Sequence, residues 1–149
     1  MAKFKYRMQS VLNIKEKLET QAKNEFAAAQ MKLNEETDKL DALKRRKEGY
    51  EDERKKLLNS TLDFQKINEN KYALERMDEY IQAQEEQVAK AQKVLDKARD
   101  NLTKAMQETK IQNKLKEKAF EEFKKELNRQ EAKEVDELTS YTYGQRIER

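Results

Sequence analysis

The stretch "INENKYALERMDEYIQAQEEQVAKAQKVLDKARDNLTKAMQET", Ile67 to Thr109, decides how this chain folds. Alternating steps of three and four from Ile67 fall on Asn70, Leu74, Met77, Ile81, Gln84, Val88, Ala91, Leu95, Ala98, Leu102, Ala105 and Thr109. Ten of these 13 positions are apolar, and the residues between them are mostly Lys, Glu, Gln and Asp. An apolar residue every 3.5 positions draws a stripe along one side of a helix, and the stripe needs a second helix to cover it. The spacing therefore predicts a coiled coil. High charge alone would also suit a disordered chain, but disorder has no reason to sustain a seam.

The first half carries a matching stripe. Val11, Ile14 and Leu18 keep the step, Ala22 and Phe26 follow at two successive four-residue steps, and Ala29, Leu33, Leu40, Leu43, Tyr50 and Leu57 resume it. Successive four-residue steps predict a stutter, which locally relaxes a left-handed supercoil. Gly49 costs on the order of 1 kcal/mol against alanine inside a helix, too little to end one so well patterned. Between the stripes lies Asn59-Ser60-Thr61-Leu62-Asp63, where Ser60 and Asp63 resemble a capping box. Asn68-Glu69-Asn70 is a second turn candidate. The expected fold is all-α: two long helices in an antiparallel coiled-coil hairpin, with the second helix extending past the first. Residues 1–149 would form one hairpin, with helix one over about 4–58, a turn over about 59–63 and helix two over about 64–142.

A turn near residue 60 pairs Phe26 with Leu95, Leu33 with Val88, Leu40 with Ile81 and Leu43 with Met77. Ala22 and Ala29 then face Ala98 and Ala91, small against small. A turn near Asn68 gives a register about two heptads away that also matches the apolar residues, and the first register is the one the sequence favours. In the first register Phe4, Met8 and Val11 face Lys116, Gln112 and Thr109, a poor apolar match. The second helix meanwhile continues with Phe120, Phe123, Leu127, Val135, Leu138, Tyr141 and Tyr143. Burying one large apolar side chain is worth about 1.5–3 kcal/mol, so this remainder calls for cover. Either the N-terminal aromatics pack on the extension or the end docks into a partner, and the expectation is a partner.

Composition narrows the function classes. Of 149 residues 42% are charged, with no Pro, Cys, His or Trp and two Gly, so turns are few and thiol or imidazole catalysis has no residue to use. The carboxylate pairs Glu35-Glu36, Glu85-Glu86 and Glu121-Glu122 read as solvated helix faces, and two glycines build no phosphate-binding loop. No catalysis, cofactor or metal is expected. The net charge of +3 argues against nucleic-acid wrapping. Lys44-Arg45-Arg46-Lys47 is followed by Glu48, Glu51, Asp52 and Glu53, and reads as a charge-laced helix face. Lys3, Lys5 and Arg7 invite a membrane-surface reading, yet their apolar neighbours belong to a narrow seam. Residues 1–30 lack a signal-peptide core, and no stretch approaches the roughly 20 apolar residues of a membrane span. The expectation is a soluble cytoplasmic monomer with no direct membrane insertion.

The opening "FKYRMQSVLNIKEKLETQAKNEFAAAQ", residues 4–30, and the late "RQEAKEVDE", Arg129 to Glu137, flank this two-helix pattern. Together they resemble the flagellar export protein FliJ family, soluble coiled-coil components of the flagellar type III export apparatus. The resemblance implies a hairpin similar to the central stalk of rotary ATPases. It implies contact with the hexameric export ATPase, with the cytoplasmic domain of the export gate membrane protein and with export chaperones. The location it implies is cytoplasmic, peripherally at the basal body on the inner membrane. The ATPase-facing end would include Phe4, Tyr6, Arg7, Met8, Val11 and Leu12 with Arg129, Lys133, Asp136 and Glu137. The gate-contacting patch would include Leu43, Tyr50, Met77 and Tyr80, with Arg46 and Ala73 departing from the larger apolar residues expected there. A scaffold or dimerising coiled coil without an ATPase partner is the alternative.

Overall fold

The computed structural model describes residues 2–148, with side chains described for 2–145. Two helices make up the fold, α1 (Gln9–Leu58) and α2 (Phe64–Glu148), paired as an all-α antiparallel hairpin. The chain divides into two units. One holds Thr20–Thr103 with the connecting turn, and the other holds Met1–Glu19 with Lys104–Arg149.

In the turn-bearing unit, the burial pattern follows the heptad without a break. On α1 the buried and half-buried residues include Ala22, Phe26, Ala29, Leu33, Glu36, Leu40, Leu43, Lys47 and Tyr50. On α2 they run from Ile67 through Leu102 at the steps the sequence marks. Ala29, Leu95 and Ala98 form a buried cluster with Phe26 and Leu33 packed on it. Small residues on both helices let the backbones approach, and Leu95, 2% exposed, fills the space between them. The Arg99 guanidinium lies 5.9 Å from the Phe26 ring centroid and caps the aromatic from outside.

Two polar layers interrupt this apolar seam. Asn70 Nδ2 donates to the Tyr50 carbonyl at 2.9 Å, and Gln84 Nε2 donates to the Glu36 carbonyl at 2.9 Å and to its carboxylate. Glu36, 5% exposed, also meets Lys32 at 3.0 Å and Lys39 at 3.5 Å. The Lys32 hydrogen bond, then that from Gln84, hold its carboxyl at about 2 against an ordinary 4.5, with burial opposing and the Lys32 and Lys39 charges assisting. Glu36 is thus a seam residue, and the reading of Glu35-Glu36 as a solvated pair is corrected: Glu35 is exposed and Glu36 is not.

The turn itself departs from a capping box. Asp63 is the N-cap of α2, its Oδ1 accepting the N–H groups of Gln65 at 3.1 Å and Lys66 at 3.3 Å. Ser60 instead donates its hydroxyl back to the Leu57 carbonyl at 3.5 Å, serving the end of α1. With Asp63 already two N–H groups deep into the helix start, no role is left for it as a reciprocal N3 partner. Gly49 lies within α1, and nothing stands within 4 Å of where a side chain would project.

The terminal unit corrects the predicted stutter. Leu12 is 2% exposed and Lys15 and Glu19 are half-buried, so α1 keeps its three–four step through these residues to Ala22. Ile14 and Leu18, 55% and 46% exposed, lie off the seam. Counting apolar residues alone invented the irregularity, because the seam positions here are a lysine and a glutamate. The lysine is accommodated by polar partners on α2: the Thr109 hydroxyl reaches the Lys15 carbonyl at 3.3 Å and the Ala105 carbonyl at 3.1 Å, while Lys15 Nζ meets Glu108 at 2.9 Å. Helix α1 also begins later than the predicted residue 4. Gln9 N–H bonds the Tyr6 carbonyl at 3.1 Å and Leu12 N–H the Met8 carbonyl at 3.0 Å, which closes the first turn after a non-helical 2–8 segment. At the other end α2 runs past the predicted residue 142, to Glu148.

Two outcomes follow for stability. Leu95→Ala should cost about 2–5 kcal/mol in chemical denaturation, whereas Val94→Ala, at a 60% exposed position one residue away, should cost well under 1 kcal/mol. Because the Glu36 carboxyl is depressed on folding, its contribution is complete above pH 4.5 and fades as pH falls toward about 2. The melting temperature of the native protein should therefore drop across that window, and Glu36→Gln should flatten the drop, as followed by circular dichroism.

Candidate functional site: the terminal unit and the Tyr80 face

Residues 2–6 form a non-helical strap whose Phe4 and Tyr6 side chains lie against α2, and a turn at residues 7–8 joins it to α1. An extended chain advances about 3.3 Å per residue against 1.5 Å in a helix, so the strap reaches one to two turns further along α2 than a helix would. The Phe4 ring consequently lies on Phe120 and Phe123, at centroid distances of 5.1 and 5.5 Å, instead of opposite Lys116. Lys124 Nζ sits 4.6 Å from the Phe120 ring centroid on the same cluster. Tyr6 donates its hydroxyl to Gln112 Oε1 at 3.0 Å. The expectation that the N-terminal aromatics need a partner for cover is corrected for these two: both are half-buried within the chain. The unused alternative, packing on the α2 extension, is what the chain adopts.

Beside the strap is an open hollow of about 580 Å³, lined by residues 3–8 with Leu115, Ala119 and Phe123. Arg7 and Met8 are exposed at its wall, and Lys3 and Lys5 make the rim basic. Val11 is half-buried and Leu12 fully buried, so Leu12 supports this end from inside and presents no surface.

Past Leu127, every described residue of α2 is exposed through Gln145. Val135, Leu138, Tyr141 and Tyr143 are each 60–66% exposed. Arg129 pairs with Glu126 at 2.6 Å on the surface, where such a bridge is worth little. Lys133, Asp136 and Glu137 lie exposed on the same single helix. The strap residues thus gather around one hollow, while the four charged residues line the helix beyond it.

In the turn-bearing unit the proposed gate residues separate. Met77 is 5% exposed and Leu43 and Tyr50 are half-buried seam residues, Tyr50 also lending its carbonyl to Asn70. Tyr80, 54% exposed, is the surface member. Tyr72 and Arg76, eight and four residues earlier on the same helix, are exposed on its face, and Tyr72 escaped the sequence reading although its i, i+8 spacing from Tyr80 marks it. Lys47 Nζ crosses to Asp78 at 2.7 Å, on the opposite flank of the Met77 seam from this face. The Asp78 hydrogen bond and charge raise its pKa, with a lesser contribution from Glu51. The basic run 44–47 is therefore partly engaged across the hairpin, beyond the local partners its sequence suggested. Among the described residues, no three acidic, cysteine or histidine side chains gather closely enough to hold a metal ion.

Removing the Phe4 ring should release the strap: Phe4→Ala is expected to speed hydrogen exchange of the Gln9 amide, which donates to the Tyr6 carbonyl, by about tenfold or more, the loss of over 1.4 kcal/mol of aromatic packing. Exchange around Leu95 should not change.

Comparison with known proteins places this architecture. The family described as Flagellar FliJ protein matches over residues 4–148. Among solved structures, a protein of Chlamydia trachomatis described as a YscO homolog superimposes with a TM-score of 0.77 at 24% identity, covering 99% of each chain. That likeness is one of fold. Comparison with curated proteins gives no match.

Proposed function

Because the chain belongs to the flagellar FliJ protein family, we propose that it acts as a stalk and adaptor of flagellar protein export that engages the hexameric export ATPase through its terminal unit. Membership makes it a component of the flagellar export system. The observation that carries the ATPase reading is the uncovered end of α2, where Val135, Leu138, Tyr141 and Tyr143 stand exposed on a helix with no described residue packed over them. Four large apolar side chains on a lone helix gain most from entering another protein's surface. Arg129, Lys133, Asp136 and Glu137 alternate in sign beside them, a pattern suited to loose contact with several equivalent subunits. Arg7 and Met8 at the open hollow extend the same surface.

The role is one of binding and support, without chemistry of its own. Tyr80, with Tyr72 and Arg76, offers the surface for the export gate's cytoplasmic domain, and Leu43, Tyr50 and Met77 hold that face in shape from within. Chaperone delivery and a position at the cytoplasmic side of the basal body follow from the same reading. None of the described helices is long and apolar enough to cross a membrane.

Mixing the chain with the purified export ATPase should promote hexamer formation and raise ATP hydrolysis. Val135→Asp/Leu138→Asp should lose at least about tenfold in apparent affinity, as expected when two anchors worth more than 1 kcal/mol each are removed. Its circular dichroism should be unchanged, since both positions are exposed. Full stimulation by this variant would refute the reading.

A further inference from the structure

The turn between the helices carries an apolar cluster that the export reading does not use. Leu58, Leu62 and Phe64 are 51%, 55% and 72% exposed, and among the described large apolar side chains none is more exposed than Phe64. All three fall within seven residues, so the turn holds them at one tip whatever the rest of the chain does. Four basic residues surround them, Arg54, Lys55, Lys56 and Lys66, all exposed. None of the four is held in an ion pair among the described residues. The only carboxylate from 54 to 66 is Asp63, and it is engaged with the N–H groups of Gln65 and Lys66 at the start of α2. The acidic residues Glu51, Asp52 and Glu53 directly precede Arg54 on the side of α1 away from the tip, and Glu69 follows Lys66 by three residues on α2.

We propose that this tip seats on an anionic lipid surface, with Leu58, Leu62 and Phe64 entering the boundary between headgroups and acyl chains and Arg54, Lys55, Lys56 and Lys66 meeting the lipid phosphates. Charge complementarity selects the occupant: four unpaired cations around an apolar point match a surface that is anionic outside and apolar beneath. Shape selects it as well. A five-residue turn is convex, and a lipid surface deforms around a convex point without needing a matching cleft. A second copy of the chain would bring the same four cations against each other, which opposes tip-to-tip pairing. The contact is peripheral, since no described helix can span a bilayer. The inference stands on the turn alone and does not depend on the ATPase reading.

The chain has no tryptophan, so Phe64→Trp creates a single reporter at the tip. Tyr141→Trp, at an exposed position in the terminal unit, serves as control. Vesicles of phosphatidylcholine with one-quarter phosphatidylglycerol should shift Phe64→Trp emission to the blue, whereas pure phosphatidylcholine vesicles should not. The control should not respond to either. Adding Lys55→Gln/Lys56→Gln to Phe64→Trp should weaken vesicle affinity about thirtyfold, from the loss of two charges near an anionic surface. The proposal is overturned by unchanged Phe64→Trp emission on anionic vesicles, by an equal shift on neutral ones, or by insensitivity to the lysine substitutions. A shift that follows protein concentration without vesicles would overturn it too, and would assign the tip to a second copy.

Discussion

The hairpin depends on three polar side chains of α2 that reach across to backbone carbonyls of α1. Asn70 bonds the Tyr50 carbonyl, Gln84 that of Glu36, and Thr109 that of Lys15. They are the three polar positions of the otherwise apolar α2 stripe from Ile67 to Thr109. A carbonyl inside a helix has a second lone pair after its own i+4 bond, so each layer is satisfied without breaking α1. Apolar contacts can slide by a heptad at small cost, but a buried amide that loses its acceptor cannot. Asn70 and Gln84 therefore fix the pairing in the turn-bearing unit, whereas Thr109, whose hydroxyl can also donate to Ala105 in its own helix, constrains the terminal unit less.

This constraint separates the two registers that apolar matching leaves level. With the helices slid by two heptads, Gln84 would stand opposite Tyr50, and the Glu36 carboxylate would stand opposite Ala98. Glu36 would keep Lys32 and Lys39 from its own helix but lose the Gln84 amide, and Gln84 would lose both of the Glu36 oxygens that now accept from it, a costly loss for buried polar groups. No buried side-chain polar atom among the described residues is left without a partner. Polar seam residues here specify position more than they add stability, as a single polar residue does in many coiled coils.

The same seam explains what was legible in the residues and what was misread. From Ile67 to Thr109 all thirteen positions marked by the three–four step are buried or half-buried, because on α2 the polar exceptions are few and short. On α1 the seam includes Lys15, Glu19, Glu36 and Lys47, and an apolar count steps over each of them. Long charged side chains can hold a seam position by lying along it and sending their charge to the edge, as Lys47 does toward Asp78. The proposed sites follow the same division. Tyr80 is exposed as its off-seam position implies, while Met77 and Leu12 are core, and Tyr72 emerges only once the exposed face of α2 is in view.

The sequence by itself determined that the chain is helical, that it folds as an antiparallel hairpin, and where the α2 seam runs, since these depend on periodicity within single segments. Which register is taken, that Phe4 is covered by Phe120 and Phe123, and that Asp63 caps α2 alone were decided only by tertiary structure. The physical reason is common to all three. Each depends on where a particular donor, ring or carboxylate finds its partner, and in a repeating pattern one-dimensional spacing offers several equivalent partners that only packing in three dimensions tells apart.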